Sequence, residues 1–412
     1  MSTNSVNGMK PEGLKRAIAV MAVAVQVALA GAGAAAAQTR VDIVPSATIG
    51  SIYDNNLFAR TQSTAGQMLV LRPGLQAMMT SPRFDLTTDL AFDAQRSNFA
   101  TLNTLDSRRH AMLDTHYRTS RATTVGLATL YDRSQTPGDV NLDTGFLGDR
   151  LQAHRIQITP SVVHRIRRGT FVRASYDWVD ERLIEDATGR MQTVRSGVTQ
   201  EWGPRGTLTA SYMNRQFVDG NASDTSSTML VGAERLIAPG TRITLQAGPR
   251  VSTYRGVQPE ILAGLVRSTE RVGLVLDYWH GETIVLGIRG PVAVDSLAAR
   301  AVFPLTRNIE IGTHTGVSGI SSLDDTASTV YRGTLVASWS PDAWYTVSGS
   351  YGIDRQIGDI RHGRVFLDGV EFIPNERVLR HVLRVSLTIA PRVSRLILTP
   401  DDPAARAKGV HR

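Results

Sequence analysis

The sequence predicts an all-β fold: a transmembrane antiparallel up-and-down β-barrel of about 18 strands, with about 16 as the alternative, after a cleaved signal peptide. Three observations predict it. Apolar and polar side chains alternate with a period of two over almost the whole chain beyond residue 40. The links between the alternating runs are short and long in turn. No uncharged run near 18 residues follows the N-terminal segment, so a membrane could be crossed only by strands.

The N-terminus has the grammar of a secretory signal. Lys10, Lys15 and Arg16 precede the apolar stretch Ala17–Ala30, which is short for a membrane span and leads into "GAGAAAAQ". Cleavage is expected between Ala37 and Gln38, and initiation at Met9 would give a more ordinary basic region. A retained anchor is the alternative, and the alanine-rich cleavage region argues against it. The expected organisation is therefore a signal peptide at 1–37, a barrel at 38–391 and a polar periplasmic tail at 392–412.

The strands follow from alternation. In "RFDLTTDLAFD", Phe84, Leu86, Leu90 and Phe92 alternate with Asp85, Asp89 and Asp93. The same pattern sets Ala111, Leu113 and Tyr117 against His110, Asp114, His116 and Arg118. It sets Ile156, Ile158 and Val162 against Arg155, Gln157, Thr159 and Arg165. Near the end it sets Leu383, Val385, Leu387 and Ile389 against Arg380, Arg384, Ser386 and Thr388. In a sandwich the apolar face would be the core; in a membrane barrel it faces lipid and the polar face lines a watery lumen.

The connections decide between the two. Tight links fall at 81–83, 120–122, 167–169, 203–206, 238–240, 268–270, 305–308 and 340–343. Longer polar segments fall between them, near 54–66, 96–105, 134–148, 184–189, 219–225, 255–258, 280–295, 319–327 and 356–376. A sandwich explains alternation but not one rim of short turns and another of long loops. Leu86, Leu90 and Phe92 are thus expected toward lipid, and Asp85, Asp89 and Asp93 toward the lumen. The segment 280–295 leaves the strand count open. Tyr117, Tyr131, Trp178, Trp202, Tyr254, Tyr278, Trp339 and Trp344 lie near expected strand ends, as interfacial girdles would.

Composition narrows the function classes. The chain has no cysteine, which excludes disulfides and thiolate metal sites. Its only lysines are Lys10, Lys15 and Lys408, which removes a phosphate-loop or Schiff-base lysine from the body of the chain. The formal charge of +8 becomes +6 without residues 1–37 and is not clustered as in a nucleic-acid binder, so no nucleic-acid partner is expected.

The stretches "PSATIGSIYDNNLFAR", "LRPGLQ" at 71–76 and "HYRTSRATTVGLATLYDR" at 116–133 resemble the outer-membrane β-barrel porins, a loosely patterned family. Some of its members are linked to exopolysaccharide or cell-surface gene clusters. The resemblance covers most of 41–391 and implies a barrel in the Gram-negative outer membrane, contacting its lipid and serving export or exchange of a polar solute. It supplies no catalytic residue. One departure is that the last expected strand, 377–390, carries no aromatic residue.

Chemical motifs are weak, and no enzyme activity and no cofactor are expected. No nucleophile-elbow G-x-S-x-G occurs. His110 and His116 are about 20 Å apart on a strand, too far to share a metal with Asp114. His280, His314 and Ser318 are candidates for a lipid-modifying site only by residue type. The lumen is more informative. Arg155, Arg165, Arg173, Arg215, Arg242, Arg250, Arg380 and Arg384 are selectivity candidates, against Asp85, Asp89 and Asp93, with Asp114 and Asp177 on the same polar faces. Arginine forks suit carboxylates and phosphates, giving a weak anion preference unless they pair with lumen carboxylates. Arg361, His362, Arg364, Asp368 and Glu371, in the segment 356–376, are the candidates for a constriction loop.

The expected function is a porin-like channel for polar, weakly anionic solutes, or the export pore of a surface polysaccharide working with export machinery. The alternative is a non-conducting structural or adhesive barrel that binds a partner through its loops.

Overall fold

The computed structural model describes residues 39–59, 62–135, 144–145, 152–183, 188–219, 222–285, 288, 290–323, 327–358 and 377–390. The expected signal peptide, the tail 392–412 and the constriction candidates Arg361, His362, Arg364, Asp368 and Glu371 lie outside them. Eighteen strands make up the described chain: β1 (Arg40–Asp54), β2 (Gly66–Thr80), β3 (Phe84–Ser97), β4 (Thr104–Arg118), β5 (Thr123–Ser134), β6 (Ala153–Arg167), β7 (Thr170–Leu183), β8 (Thr188–Glu201), β9 (Gly206–Asp219), β10 (Ala222–Ala238), β11 (Thr241–Ser252), β12 (Gly256–Ser268), β13 (Gly273–Thr283), β14 (Val292–Pro304), β15 (Ile309–Ser321), β16 (Ala327–Trp339), β17 (Tyr345–Gly358) and β18 (Arg377–Ile389).

Every strand pairs antiparallel with its neighbours in sequence, and β18 returns to pair with β1 from Ala47↔Ile389 to Asp54↔Val382. This is a closed up-and-down barrel, with no open sheet edge running its length. The ambiguous segment 280–295 resolves into the end of β13, a connection and the start of β14, giving 18 strands.

The alternation has the orientation a membrane barrel requires. Ile43, Leu71, Phe92, Leu245, Leu335 and Leu383 are exposed on the outward face. Asp54, Asp93, Glu181, Arg250, Glu260 and Glu282 are buried. Polar groups inside and apolar groups outside invert the soluble rule, and in β3 the exposed Phe92 stands next to the buried Asp93. Tyr117, Trp202, Trp339 and Trp344 ring the short-turn rim, and Tyr131, Trp178, Tyr254 and Tyr278 lie toward the opposite rim.

All the expected tight links join consecutive strands at one rim. Three connections expected to be long are not: β7 and β8 are separated only by 184–187, β9 and β10 by 220–221, and β11 and β12 by 253–255. The cause is visible in "ASDTSST" at the start of β10. There Asp224, Ser226 and Thr228 point inward while Ser223, Thr225 and Ser227 point outward. Both faces are polar, so the period-two hydrophobic signal fades although pairing with β9 continues from Ala222↔Asp219.

The short turns need glycine where the chain reverses hardest. Gly240, between β10 and β11, has φ +71, and a Cβ there would stand 2.1 Å from the Ser268 carbonyl oxygen. Gly240→Val is expected to cost about 1–3 kcal/mol. Urea titration of the folded, heat-modifiable species measures it; an unchanged midpoint would show that the turn tolerates a side chain.

Candidate functional site: the lumen and its inward segment

Near the long-loop rim, arginines and carboxylates on adjacent strands meet inside the barrel. Arg72 of β2 donates to Asp93 of β3 from Nε at 2.6 Å and Nη2 at 2.7 Å. Asp132 of β5 accepts from Arg108 at 2.8 Å and lies 3.1 Å from His110 Nδ1, both on β4. Arg155 of β6 pairs with Glu181 of β7 at 2.8 Å. Arg332 of β16 donates to Asp354 of β17 at 3.0 Å, and Arg380 of β18 donates to Asp54 of β1 at 2.7 Å across the closure.

The densest group spans β9 to β13. Glu260 of β12 accepts both Nη atoms of Arg215 from β9 and the hydroxyl of Thr228 from β10 at 2.9 Å. Arg250 of β11 lies 3.9 Å from Glu260 and 3.5 Å from Glu282, with Arg255 on the far side of Glu282 at 4.0 Å. Such groups are costly to bury alone and tolerable only in matched sets. Alternating inward positions on neighbouring strands supply the match, because cross-strand partners stand within side-chain reach.

An apolar segment enters the lumen beside this network. Pairing of β12 with β13 ends at His280, while β13 stays with β14 as far as Thr283. Glu282 is buried against Arg250 instead of continuing the outward series of Tyr278 and His280. Ile284 packs on inward side chains of three strands: Val179 of β7, Met191 of β8 and Phe217 of β9. Val285 and Ile288 pack on Val292, Val294, Ile320 and Val330 of β14 to β16. Gly281 permits the bend; a Cβ on it would fall 2.3 Å from the Trp279 indole nitrogen. Two polar contacts reinforce the mouth: Arg255 donates to the Ser321 carbonyl at 2.7 Å, and Arg332 donates to the Gly145 carbonyl at 3.2 Å. The second ties the β5–β6 connection to β16, across the barrel.

The residues expected in the lumen are distributed unevenly. Arg155, Arg215, Arg250, Arg380 and Asp93 belong to the paired ring. Arg242, half-exposed, meets the mostly covered Glu234 at 3.3 Å. Arg165 is exposed at the short-turn end of β6 and donates to the Arg121 carbonyl. Arg173, Asp85, Asp89 and Arg384 share the inward face nearer the short-turn rim, where Asp85 and Arg384 remain exposed to lumen water. Thr159 and Gln157 hold Asp177 at 2.6 and 2.9 Å, and His116 stands 3.5 Å from Asp114.

The trio His280, His314 and Ser318 does not assemble. His280 lies on the outward face, 2.6 Å from Asp295, while Ser318 lies inside, 3.1 Å from Ser296. The inward turn at 282–285 is not predicted by alternation; its signal is the pair of apolar residues Ile284 and Val285 between Gly281 and Gly290.

Neither a protein-family model nor a curated protein sequence matches the chain. Solved structures similar to it include an anion-selective porin from Comamonas acidovorans, at 11% identity over 86% of this chain and 100% of that one, TM-score 0.38. OccK2 (OpdF) of Pseudomonas aeruginosa, in complex with glucuronate, is similar at 10% identity over 85% and 98%, TM-score 0.46. The siderophore receptor PirA of Pseudomonas aeruginosa is similar at 9% over 84% and 80%, TM-score 0.38. At this level of similarity they assign no activity to this chain.

The matched network makes a sharp energetic prediction. Glu260→Ala leaves Arg215 and Arg250 buried without their shared carboxylate and is expected to cost about 3–5 kcal/mol. The same change at Asp85, exposed in the lumen, should cost far less. Urea midpoints of the two variants check this, and equal midpoints would contradict it.

Proposed function

We propose that the chain is an outer-membrane, porin-like channel for small polar solutes, exported by the signal at 1–37. The observation that carries the reading is the inside-out closed barrel: apolar side chains outside, and a polar lumen whose short-turn half is lined by residues such as Ser46, Thr48, Gly126, Ser161, Ser350 and Ser386. Barrels of this strand number leave an aqueous interior unless something fills it. Here Ile284, Val285 and Ile288 narrow the mouth at one side.

Charge selectivity is weak in this reading. Around the ring each arginine faces a carboxylate, so its field is largely cancelled and any anion bias is small. A hydrated small molecule passes such a mouth more readily than a polysaccharide chain does. The apolar packing of Ile284, Val285 and Ile288 therefore disfavours the polysaccharide-export variant and a partnership with export machinery.

That same packing supports a second reading, a structural barrel that conducts little and meets a partner through its loops. Single-channel conductance in a planar bilayer separates the two. The first reading expects discrete open steps with a small reversal potential in a salt gradient. It also expects several-fold larger steps when residues 284–289 are replaced by glycine and serine. Silence of the inserted wild-type barrel and opening only of the replacement variant would support the second reading.

A further inference from the structure

The outer wall carries a charged feature of its own. Arg109 of β4 stands directly opposite Arg133 of β5, Arg133 opposite His154 of β6, and His154 opposite Arg182 of β7. The row shares the outward face with the exposed Phe92, which pairs with Arg109. One step closer to the apolar belt lie Tyr131 and Ile156, then Asp180 and Arg190; the next step holds Trp178.

Like charges opposite one another in an antiparallel pair are destabilising, and among the described residues only part of this charge is answered. Asp106 accepts Nε of Arg109 at 2.6 Å and Nη1 of Arg133 at 2.9 Å. Asp180, almost wholly buried, accepts Nε of Arg182 at 2.8 Å and Nε of Arg190 at 3.4 Å. Arg190 also lies over the Trp178 ring at 5.9 Å. Among the described residues, two carboxylates thus serve four guanidiniums, with His154 between the two sets. Among the described residues, Arg133 Nε is buried and has no acceptor. By contrast, the outward face of β9 to β12 at this rim carries Asn214, Gln216, Thr225, Val251 and Val257, none of them charged.

We propose that this row binds the phosphate-bearing headgroup of an outer-leaflet lipid. The inference rests on reading the barrel as membrane-spanning. The row stands just above an aromatic level, where headgroups lie beside a barrel wall. Guanidinium forks match phosphate oxygens in pairs. The two sets of arginines, one on each side of His154, suit a headgroup with two phosphates.

The test uses the refolded chain in phosphatidylcholine vesicles with and without a minority of bis-phosphorylated lipid A. Heat-modifiable gel mobility reads insertion, and native mass spectrometry of the extracted barrel reads retained lipid A. Wild type and the control Arg355→Gln/Arg377→Gln, on β17 and β18, should retain several-fold more lipid A than Arg109→Gln/Arg133→Gln/Arg182→Gln. Arg182→Gln alone, at a half-exposed side chain, should show a partial loss and serves if the triple variant does not fold. Equal retention by inserted wild type and variants overturns the inference while leaving the barrel reading intact. Displacement of lipid A by inorganic phosphate would mark a free-ion site and also overturn it. Failure of wild type to insert would remove the membrane reading itself.

Discussion

Everything in this molecule depends on the hydrogen-bonded closure of β18 onto β1. A strand wall in an apolar medium has no water to satisfy its free backbone groups, so it persists only when every edge is paired. The closure runs only over Ala47–Asp54 of β1, whereas β1 pairs with β2 from Arg40 to Asp54. Arg40–Ser46 therefore extends past β18 at the short-turn rim. Side chains reinforce the seam where it is shortest: Arg380 crosses it to Asp54, and Thr48 and Thr388 share a hydrogen bond at 2.8 Å.

Closure fixes the two faces, and the faces fix where charge can go. With the apolar positions committed outward, charged positions converge inside, where each unpaired group would carry a large desolvation cost. Cross-strand pairing solves this locally: Arg72 with Asp93, Arg155 with Glu181, Arg215 with Glu260. In the proposed channel, charge that stabilises the wall is not free to select ions, and size and polarity at the mouth are expected to matter more than net sign. Ile284, Val285 and Ile288 act on that property by packing on a patch of inward apolar side chains, among them Val179, Phe217, Val294 and Val330.

Much of the fold was legible in the sequence because a strand with lipid on one side and water on the other must alternate. "RFDLTTDLAFD" disclosed both its period and its orientation, and the tight links such as "RRG" and "APG" marked one rim. Legibility failed where the physical contrast fails. At 222–228 the strand has water-compatible residues on both faces and reads as loop. At 282–285 the only mark of an inward turn is the apolar pair Ile284 and Val285 after Gly281, and periodicity alone does not say which way such a pair points. The paired ring was legible only as a set of polar-face arginines, since partners such as Glu260 and Glu282 depend on register between strands. The outward row of Arg109, Arg133, His154 and Arg182 was hidden for the same reason: its residues lie far apart in sequence and meet only through pairing.

The inside-out orientation of the barrel is directly testable, because the chain has no cysteine of its own. Single substitutions Asp89→Cys and Leu90→Cys place one thiol on each face of β3, at adjacent positions. In barrels inserted in vesicles, the account predicts that a water-soluble, membrane-impermeant maleimide labels the thiol at 89 and spares the one at 90. A lipid-phase reagent should give the opposite pattern. Labelling of position 89 from water with position 90 out of reach of the lipid-phase reagent would contradict this orientation and return the chain to a soluble, apolar-cored fold.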